Sequence, residues 1–432
     1  MKEESFDALV EQVLGASLPE HLEATFSFPQ LKPYAQDFIR RMLTLMKRSG
    51  YSASEFNPVL LHWASVIIPN VLPGVWGGRI PPITLPGRHK KLDDYVATLD
   101  ITAGKEPNAF VDLGCGFPPL TAVDTARELP NWQVIGVDRS FTEYVLYDSH
   151  GNYACIDQAE TMQYFQSGPS EKGLAIFGNP NAASEHFGDL FAELSPLLPK
   201  DADGKTSQTA EKDGNKLICH HLRDFETNNL TFVKAGLGEL ELPPAQVIRC
   251  MNVFVYFDLE TRKQMLMQAG KLLADDGILI VGTNGIASES RITVYRKGSD
   301  GLYPDEFVFS LDNLGPFSLM PWFSIHEDDL DATLLAYLSR TLRADSLFWP
   351  DFSRRLDELL KEFALCERGP DGLLHFPDGF TLSAEFFGKS HHLWQQMEKE
   401  DFATGATKAL ERAGYHAWEN AVGDVAVRPS TD

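Results

Sequence analysis

The segment NAFVDLGCGFPPLTAVDTARELPNWQVIGVDRS, residues 108–140, constrains the fold more than any other part of the chain. A short apolar run, Ala109–Leu113, carries Asp112 and opens onto Gly114-Cys115-Gly116. At such a turn only residues without a Cβ let the backbone come close to a ligand. Pro118 and Pro119 suit the first turn of a helix, where their missing N–H groups would have no intrahelical partner, and the expected helix spans Pro119–Leu129. A second apolar run, Trp132–Val137, leads into Asp138, where a carboxylate can accept both ribose hydroxyls of a nucleoside. Strand, glycine turn, helix and strand form a βαβ unit. The sequence therefore predicts an α/β protein on a Rossmann-like sheet, with a nucleotide site around Asp112–Gly116 and Asp138.

The alternation continues downstream. Strands are expected at Leu230–Lys234, Gln246–Met251 and Ile278–Thr283, with a helix over Glu260–Ala274. Arg291–Arg296 and Glu306–Ser310 read as an antiparallel pair around the turn Gly298–Gly301. About ninety residues separate Asp138 from the third strand, far more than a crossover needs. An inserted subdomain is therefore expected at about 142–228, within which Asp201–Lys216 reads as a polar, mobile loop. Residues 1–103 read as a helical N-terminal domain, with Phe38, Met42, Leu43 and Met46 at helical spacing and a short helix over Leu92–Leu99. The Pro/Gly-rich stretch 71–87 reads as an ordered irregular loop. Residues 104–297 form the Rossmann-like domain, and 298–432 an α-rich C-terminal addition. The latter holds amphipathic helices over Leu330–Leu342 and Phe352–Leu365 and a turn at Gly372–Gly379.

A formal charge of −23 disfavours a nucleic-acid partner, and Arg88-His89-Lys90-Lys91 reads as a solvated loop. Five cysteines without a CxxC pair point to reduced thiols in a cytoplasmic protein and to no zinc module. The start, MKEESFDALV, lacks the pattern of a signal peptide. The apolar stretch 58–78 is interrupted by His62, Pro69, Asn70 and Pro73, which predicts a buried segment and no membrane span. Adjacent side chains on a strand face opposite ways, so neither His220-His221 nor His391-His392 is expected to chelate an ion, and no metal is assigned.

Dinucleotide dehydrogenases use G-x-G-x-x-G after the first strand, and here Pro119 stands in place of the third glycine. With Asp112 just before the glycines, the segment instead resembles motif I of S-adenosylmethionine-dependent methyltransferases. A longer stretch, residues 244–285, resembles the chemotaxis-receptor glutamate O-methyltransferases. Their signature C-R-N-V-x-I-Y-F is matched by Cys250-Met251-Asn252-Val253-Phe254-Val255-Tyr256-Phe257, with Met251 replacing Arg. Gly151-Asn152-Tyr153 and ITVYRK (292–297) extend the resemblance over residues 108–297.

The resemblance implies S-adenosylmethionine as cofactor, S-adenosylhomocysteine as product, and a small-molecule or protein acceptor methylated on oxygen or nitrogen, with a carboxylate favoured. The implied cofactor contacts are Asp112, Gly114, Cys115, Gly116, Asp138, Arg139, Leu237, Asn252 and Val253. Asn252 and Tyr256 are the implied catalytic residues. Asn252 also reads as a strand-end cap, Tyr256 as a packing tyrosine and Arg139 as a solvated side chain. The family's T-x-F-F-R motif is absent from residues 1–107, where Arg79 and Arg88 lack its neighbours. Gly236 stands where an acidic residue often meets adenine, leaving backbone near Leu237, or Glu239, for that contact. Trp322 and Phe323 read either as a lid or as a core anchor. The alternative to an enzyme is a methyltransferase-like protein that binds a nucleoside without turnover. Oligomeric state is not legible in the sequence.

Overall fold

Helix formation near the N-terminus follows from spacing. In α2 (Pro33–Arg48), after α1 (Phe6–Leu14), the residues Phe38, Ile39, Met42, Leu43, Leu45 and Met46 are buried while Arg40, Lys47 and Arg48 are exposed. Pro33 occupies the first helical position, and the two cations of the last turn complement the helix dipole. This computed structural model describes residues 6–14, 33–62, 84–99, 108–166, 180–199, 204–285, 290–378, 380 and 382–429. Arg79, most of the 71–87 loop, residues 201–203 and Gly379 lie outside them. The protein is mixed α/β, and two compact units divide it. One comprises Pro73–Lys90 and Thr102–Pro243, and the other Met1–Leu72, Lys91–Ile101 and Pro244–Asp432.

In the larger unit α2 packs on an aromatic cluster. The Phe38 and Phe323 rings lie 5.3 Å apart, and Tyr51 meets Trp322 edge-on at 5.4 Å. Trp322 and Phe323 are both buried. Of the two readings of this pair, the structure bears out the core anchor. The helix α3 (Lys90–Thr98) buries Leu92, Asp93, Tyr95 and Val96.

In the unit containing residues 102–243, β1 (Ala109–Leu113), α4 (Leu120–Glu128) and β2 (Gln133–Val137) form the expected βαβ motif. The two prolines lie just ahead of the helix, with Pro119 at its N-cap. A separate antiparallel sheet follows in sequence. It is made of β3 (Tyr144–Tyr147), β4 (Tyr153–Ile156), β5 (Met162–Gln166), β6 (Gln208–Lys212) and β7 (Asn215–Cys219), in the order β5-β4-β3-β7-β6. The helix α5 (Pro180–Leu194) seats Phe187 and Phe191 in an apolar cluster with Leu146, Phe165 and Leu217.

The reading of Asp201–Lys216 as a mobile loop is corrected over its described part. Residues 208–212 pair with β7 as a hairpin around Asp213-Gly214, both at positive φ. On β6 only Ala210 is buried, so an edge strand exposed along most of its length looks like loop in composition. The chain then returns as β8 (Leu230–Val233), parallel to β2. Leu113, Val137 and Val233 are in register, which aligns the carboxyl ends of β1, β2 and β8.

In the larger unit β9 (Ala245–Met251) and β10 (Leu273–Asn284) are parallel and linked by a 3-10 turn, Phe254–Tyr256, and α6 (Leu259–Leu272). Asp258 caps α6 by accepting the Thr261 N–H at 2.8 Å. The expected antiparallel pair is present as β11 (Ser290–Gly298) and β12 (Gly301–Phe309). Arg249 on β9 meets Asp93 on α3 at 2.7 Å, with side chains 0% and 1% exposed. The C-terminal region contains α7 (Leu330–Ala344) and α8 (Trp349–Glu362), the small hairpin β13 (Glu367–Arg368) and β14 (Leu374–His375), then α9 (Ala384–Met397) and α10 (Phe402–Arg412). It is not wholly helical. β15 (Ala417–Glu419) and β16 (Val425–Val427) close the chain, and β16 pairs antiparallel with β12. Three-residue strands are too short to show a period, so nothing in the pattern revealed them.

Candidate functional site

The glycine turn is held by the end of the neighbouring strand. Gly114 and Gly116 both adopt positive φ, at 78° and 70°. That conformation lets the chain reverse from β1 toward α4 without a Cβ clash. The Gly114 N–H donates to the Val137 carbonyl at 2.7 Å, and the Cys115 N–H reaches the same oxygen at 3.4 Å. The Gly116 N–H donates to Asp138 Oδ2 at 2.8 Å. Cys115 is buried, and its Sγ packs over Gly136 on β2.

The two acidic positions differ in what they touch. Asp112, inside β1 and buried, accepts the Thr121 hydroxyl at 2.9 Å, which ties the first turn of α4 to the strand. Asp138 Oδ1 accepts both the N–H and the hydroxyl of Ser140, at 2.7 and 2.6 Å. An ionised carboxylate offers about four lone-pair directions. Three are engaged, and the one remaining lies on Oδ2, beside the glycine turn. This acceptor set fits one ribose hydroxyl as it stands, and a second once the Ser140 hydroxyl rotates away. Thr121 and Ser140 were not singled out in the sequence. The D-x-S spacing at 138–140, typical of a side chain that accepts from its own turn, was the available signal.

Arg139 is exposed. Leu237 is buried and opens the 3-10 turn Leu237–Glu239, in which Glu239 Oε2 accepts the Gly236 N–H at 3.0 Å. Glu239 is thus engaged by the turn it belongs to.

The remaining sequence-predicted residues belong to the larger unit. Asn252 follows β9 at φ 58°, with its N–H donating to the Gly282 carbonyl at 2.8 Å. Its amide makes a two-way bond with Asn284. Asn252 Nδ2 donates to Asn284 Oδ1 at 2.8 Å, and Asn252 Oδ1 accepts the Asn284 N–H at 3.0 Å. This is the strand-end capping role, realised across two parallel strands. Val253 is half-buried at the N-cap of the next turn. Tyr256 is half-buried against Phe323, ring centres 6.5 Å apart, and its carbonyl meets His326 Nε2 at 3.1 Å. Arg262 clamps the same turn, donating from Nε to the Phe254 and Phe257 carbonyls at 2.9 and 2.8 Å.

Among the described residues no helix is long and apolar enough to cross a membrane. No protein-family model matches the chain, and no curated protein does. Among solved structures it is similar to the plantazolicin methyltransferase BpumL in complex with a triazolic desmethylPZN analog and SAH. That likeness has 12% identity, covers 90% of this chain and 99% of the other, and has a TM-score of 0.26. It is also similar to the precorrin-6y C5,15-methyltransferase of Geobacter metallireducens, at 10% identity over 48% of this chain, with a TM-score of 0.22. A third likeness is to PKMT2 of Rickettsia typhi, at 16% identity over 48% of this chain, again with a TM-score of 0.22. The chain spans 68% and 27% of the lengths of these last two. Likenesses this remote carry no argument about the fold or the function of this chain.

Proposed function

We propose that the chain is an S-adenosylmethionine-dependent methyltransferase acting on an oxygen or nitrogen acceptor of a small molecule or a protein. The observation that carries this reading is the contact between the Gly116 N–H and Asp138 Oδ2. It sets a ribose-accepting carboxylate against a left-handed glycine turn at the carboxyl ends of β1 and β2, where open α/β sheets bind nucleotides. When bound, S-adenosylmethionine would supply a methyl group on a sulfonium sulfur: an acceptor lone pair would bond to the methyl carbon, the S–CH3 bond would break to leave S-adenosylhomocysteine, and any proton on the acceptor would pass to solvent.

The chain's own task is to bind, align and exclude water. Asp138 Oδ2 accepts a ribose hydroxyl, the turn at Gly114, Cys115 and Gly116 allows close approach, and Asp112 acts through Thr121 to fix the start of α4. For Arg139, Leu237, Asn252, Val253 and Tyr256 the proposal rests on the family resemblance. So does the preference for a carboxylate acceptor, and the choice of 104–297 as the methyltransferase region with an insertion at about 142–228. Five dispersed cysteines, all free, fit a cytoplasmic setting.

Isothermal titration of the full chain with S-adenosylmethionine, S-adenosylhomocysteine and NAD tests the reading. Saturable binding of the first two alone is expected. Tighter binding of NAD would turn the site into that of a dehydrogenase, and binding of none would make the glycine turn purely structural. Methyl transfer to any acceptor would separate an enzyme from a binding protein without turnover.

A further inference from the structure

The antiparallel sheet that follows β2 in sequence carries a second cluster of reactive side chains. Glu143 precedes β3, and Cys219 and His220 end β7 and begin the next turn. These strands are paired, with Tyr144 opposite Cys219 and the His220 N–H donating to the Glu143 carbonyl at 2.9 Å. The backbone thus brings the three side chains together. His220 Nδ1 lies 2.7 Å from Glu143 Oε1, and the Cys219 thiol donates to the same oxygen at 3.7 Å. One carboxylate oxygen faces a thiol and an imidazole at once, and the three ligand atoms lie within 4.8 Å of one another.

A nucleophile–base pair does not explain the group. The thiol hydrogen-bonds to the Glu143 carboxylate, and His220 Nδ1 is bonded to that same oxygen, so the sulfur meets a carboxylate and not an imidazole base. A divalent cation suits the set better. In a tetrahedral zinc site, sulfur and oxygen ligands stand about 3.6 Å apart, and oxygen and nitrogen ligands about 3.3 Å apart. The thiol–carboxylate separation already matches, and the carboxylate–imidazole pair must open by a few tenths of an ångström. Cys219 also borders an open cavity of about 410 Å³, together with Tyr144, Glu160, Phe191 and Gln208.

We propose that Glu143, Cys219 and His220 form a three-ligand site for a borderline-soft divalent cation of the zinc class, with its fourth position left to water. Thiolate and imidazole together select such an ion over magnesium or calcium, which take oxygen ligands. Binding replaces the thiol proton with a metal–sulfur bond and releases that proton to solvent, while the proton that His220 Nδ1 donates to Glu143 passes to Nε2 so that Nδ1 can ligate the ion. The adjacent His221 takes no part. It turns instead against the Phe117 ring, 4.4 Å between centres.

The test is titration of the chelator-treated full chain with Co²⁺, read by absorption, followed by displacement with Zn²⁺. A near-ultraviolet thiolate-to-cobalt charge-transfer band that saturates stoichiometrically and is bleached by zinc is the expected result. Cys219→Ser should lose the band, Glu143→Gln should weaken binding, and Cys366→Ser should change neither. Unchanged far-ultraviolet dichroism would show that the variants fold. Absence of the band in the parent protein, or its survival in folded Cys219→Ser, overturns the proposal.

Discussion

Gly116 donates its backbone N–H to Asp138 Oδ2 at 2.8 Å, so the turn after β1 and the carboxylate after β2 form one assembly. Ser140 supplies two more donors to the other oxygen. The carboxylate is therefore oriented before any ligand arrives, and its one open lone pair is on the atom nearest the glycines. Preorganisation of this kind reduces what a ligand must spend on ordering the protein.

Asp138→Ala should weaken S-adenosylmethionine binding by roughly 1.5–3 kcal/mol, the usual value of a hydrogen bond to a charged group. Ser140→Ala should not weaken it, because removing the hydroxyl frees a second acceptor direction on Oδ1. Titration calorimetry on the two variants decides the matter. Unchanged affinity in Asp138→Ala, or a Ser140→Ala loss as large as that of Asp138→Ala, would end the ribose assignment.

Asn252 is bound on both sides of its amide by Asn284 and sits at φ 58°, a conformation that Asn tolerates better than Ala. Asn252→Ala should cost about 2–3 kcal/mol in urea unfolding, from two lost hydrogen bonds and the left-handed backbone. Asn252→Gly should cost about 1 kcal/mol less, since it relieves only the backbone contribution. Equal midpoints for both variants and the parent would show that this amide does not support the fold.

The parts of the fold that could be read from the sequence are those in which burial is periodic. β1, β2 and β9 are largely apolar runs closed by Gly114, Asp138 and Asn252, and their observed limits fall within a residue or so of expectation. α2 shows its buried face in its spacing. What stayed hidden depends on contacts far apart in sequence. β6 is recognisable only by its Asp213-Gly214 turn and by its pairing with β7. The Asn252–Asn284 bond spans 32 positions, and the Glu143–Cys219–His220 cluster forms because β3 and β7 pair. No local pattern announces either. The D-x-S turn at Asp138 is local and legible, but the direction of its carboxylate toward Gly116 is set by the pairing of β1 with β2.

The Asp93–Arg249 pair is buried on both sides, and such a pair is worth most when one member is deleted. Asp93→Ala should destabilise the protein by about 3–5 kcal/mol, because the buried Arg249 guanidinium loses its ion-pair carboxylate. Replacing both residues with apolar side chains of similar size should recover much of the loss. Chemical unfolding of the single and double variants tests this. A double variant no more stable than Asp93→Ala would show that the cost comes from packing and not from the broken ion pair.

His221 lies against Phe117, one residue beyond the glycine turn, and is 1% exposed. Burial is the main cause that depresses its imidazole from 6.5 to about 4, opposed by the Glu143 carbonyl and by Asp224, with His220 adding to the depression. A base whose folded value is lowered takes up its proton more readily when unfolded. The neutral ring thus contributes its full stability above about pH 6.5, and that contribution falls as the solution is acidified toward about pH 4. At most about 3 kcal/mol is lost across this window, with a slope no steeper than about 1.4 kcal/mol per pH unit. His221→Phe keeps an aromatic ring against Phe117 without a titrating group, so it should flatten the pH dependence of the urea midpoint between those limits. If parent and variant lose stability in parallel from pH 6.5 to 4, the acid sensitivity belongs to other groups, and His221 is protonated in the fold at no cost.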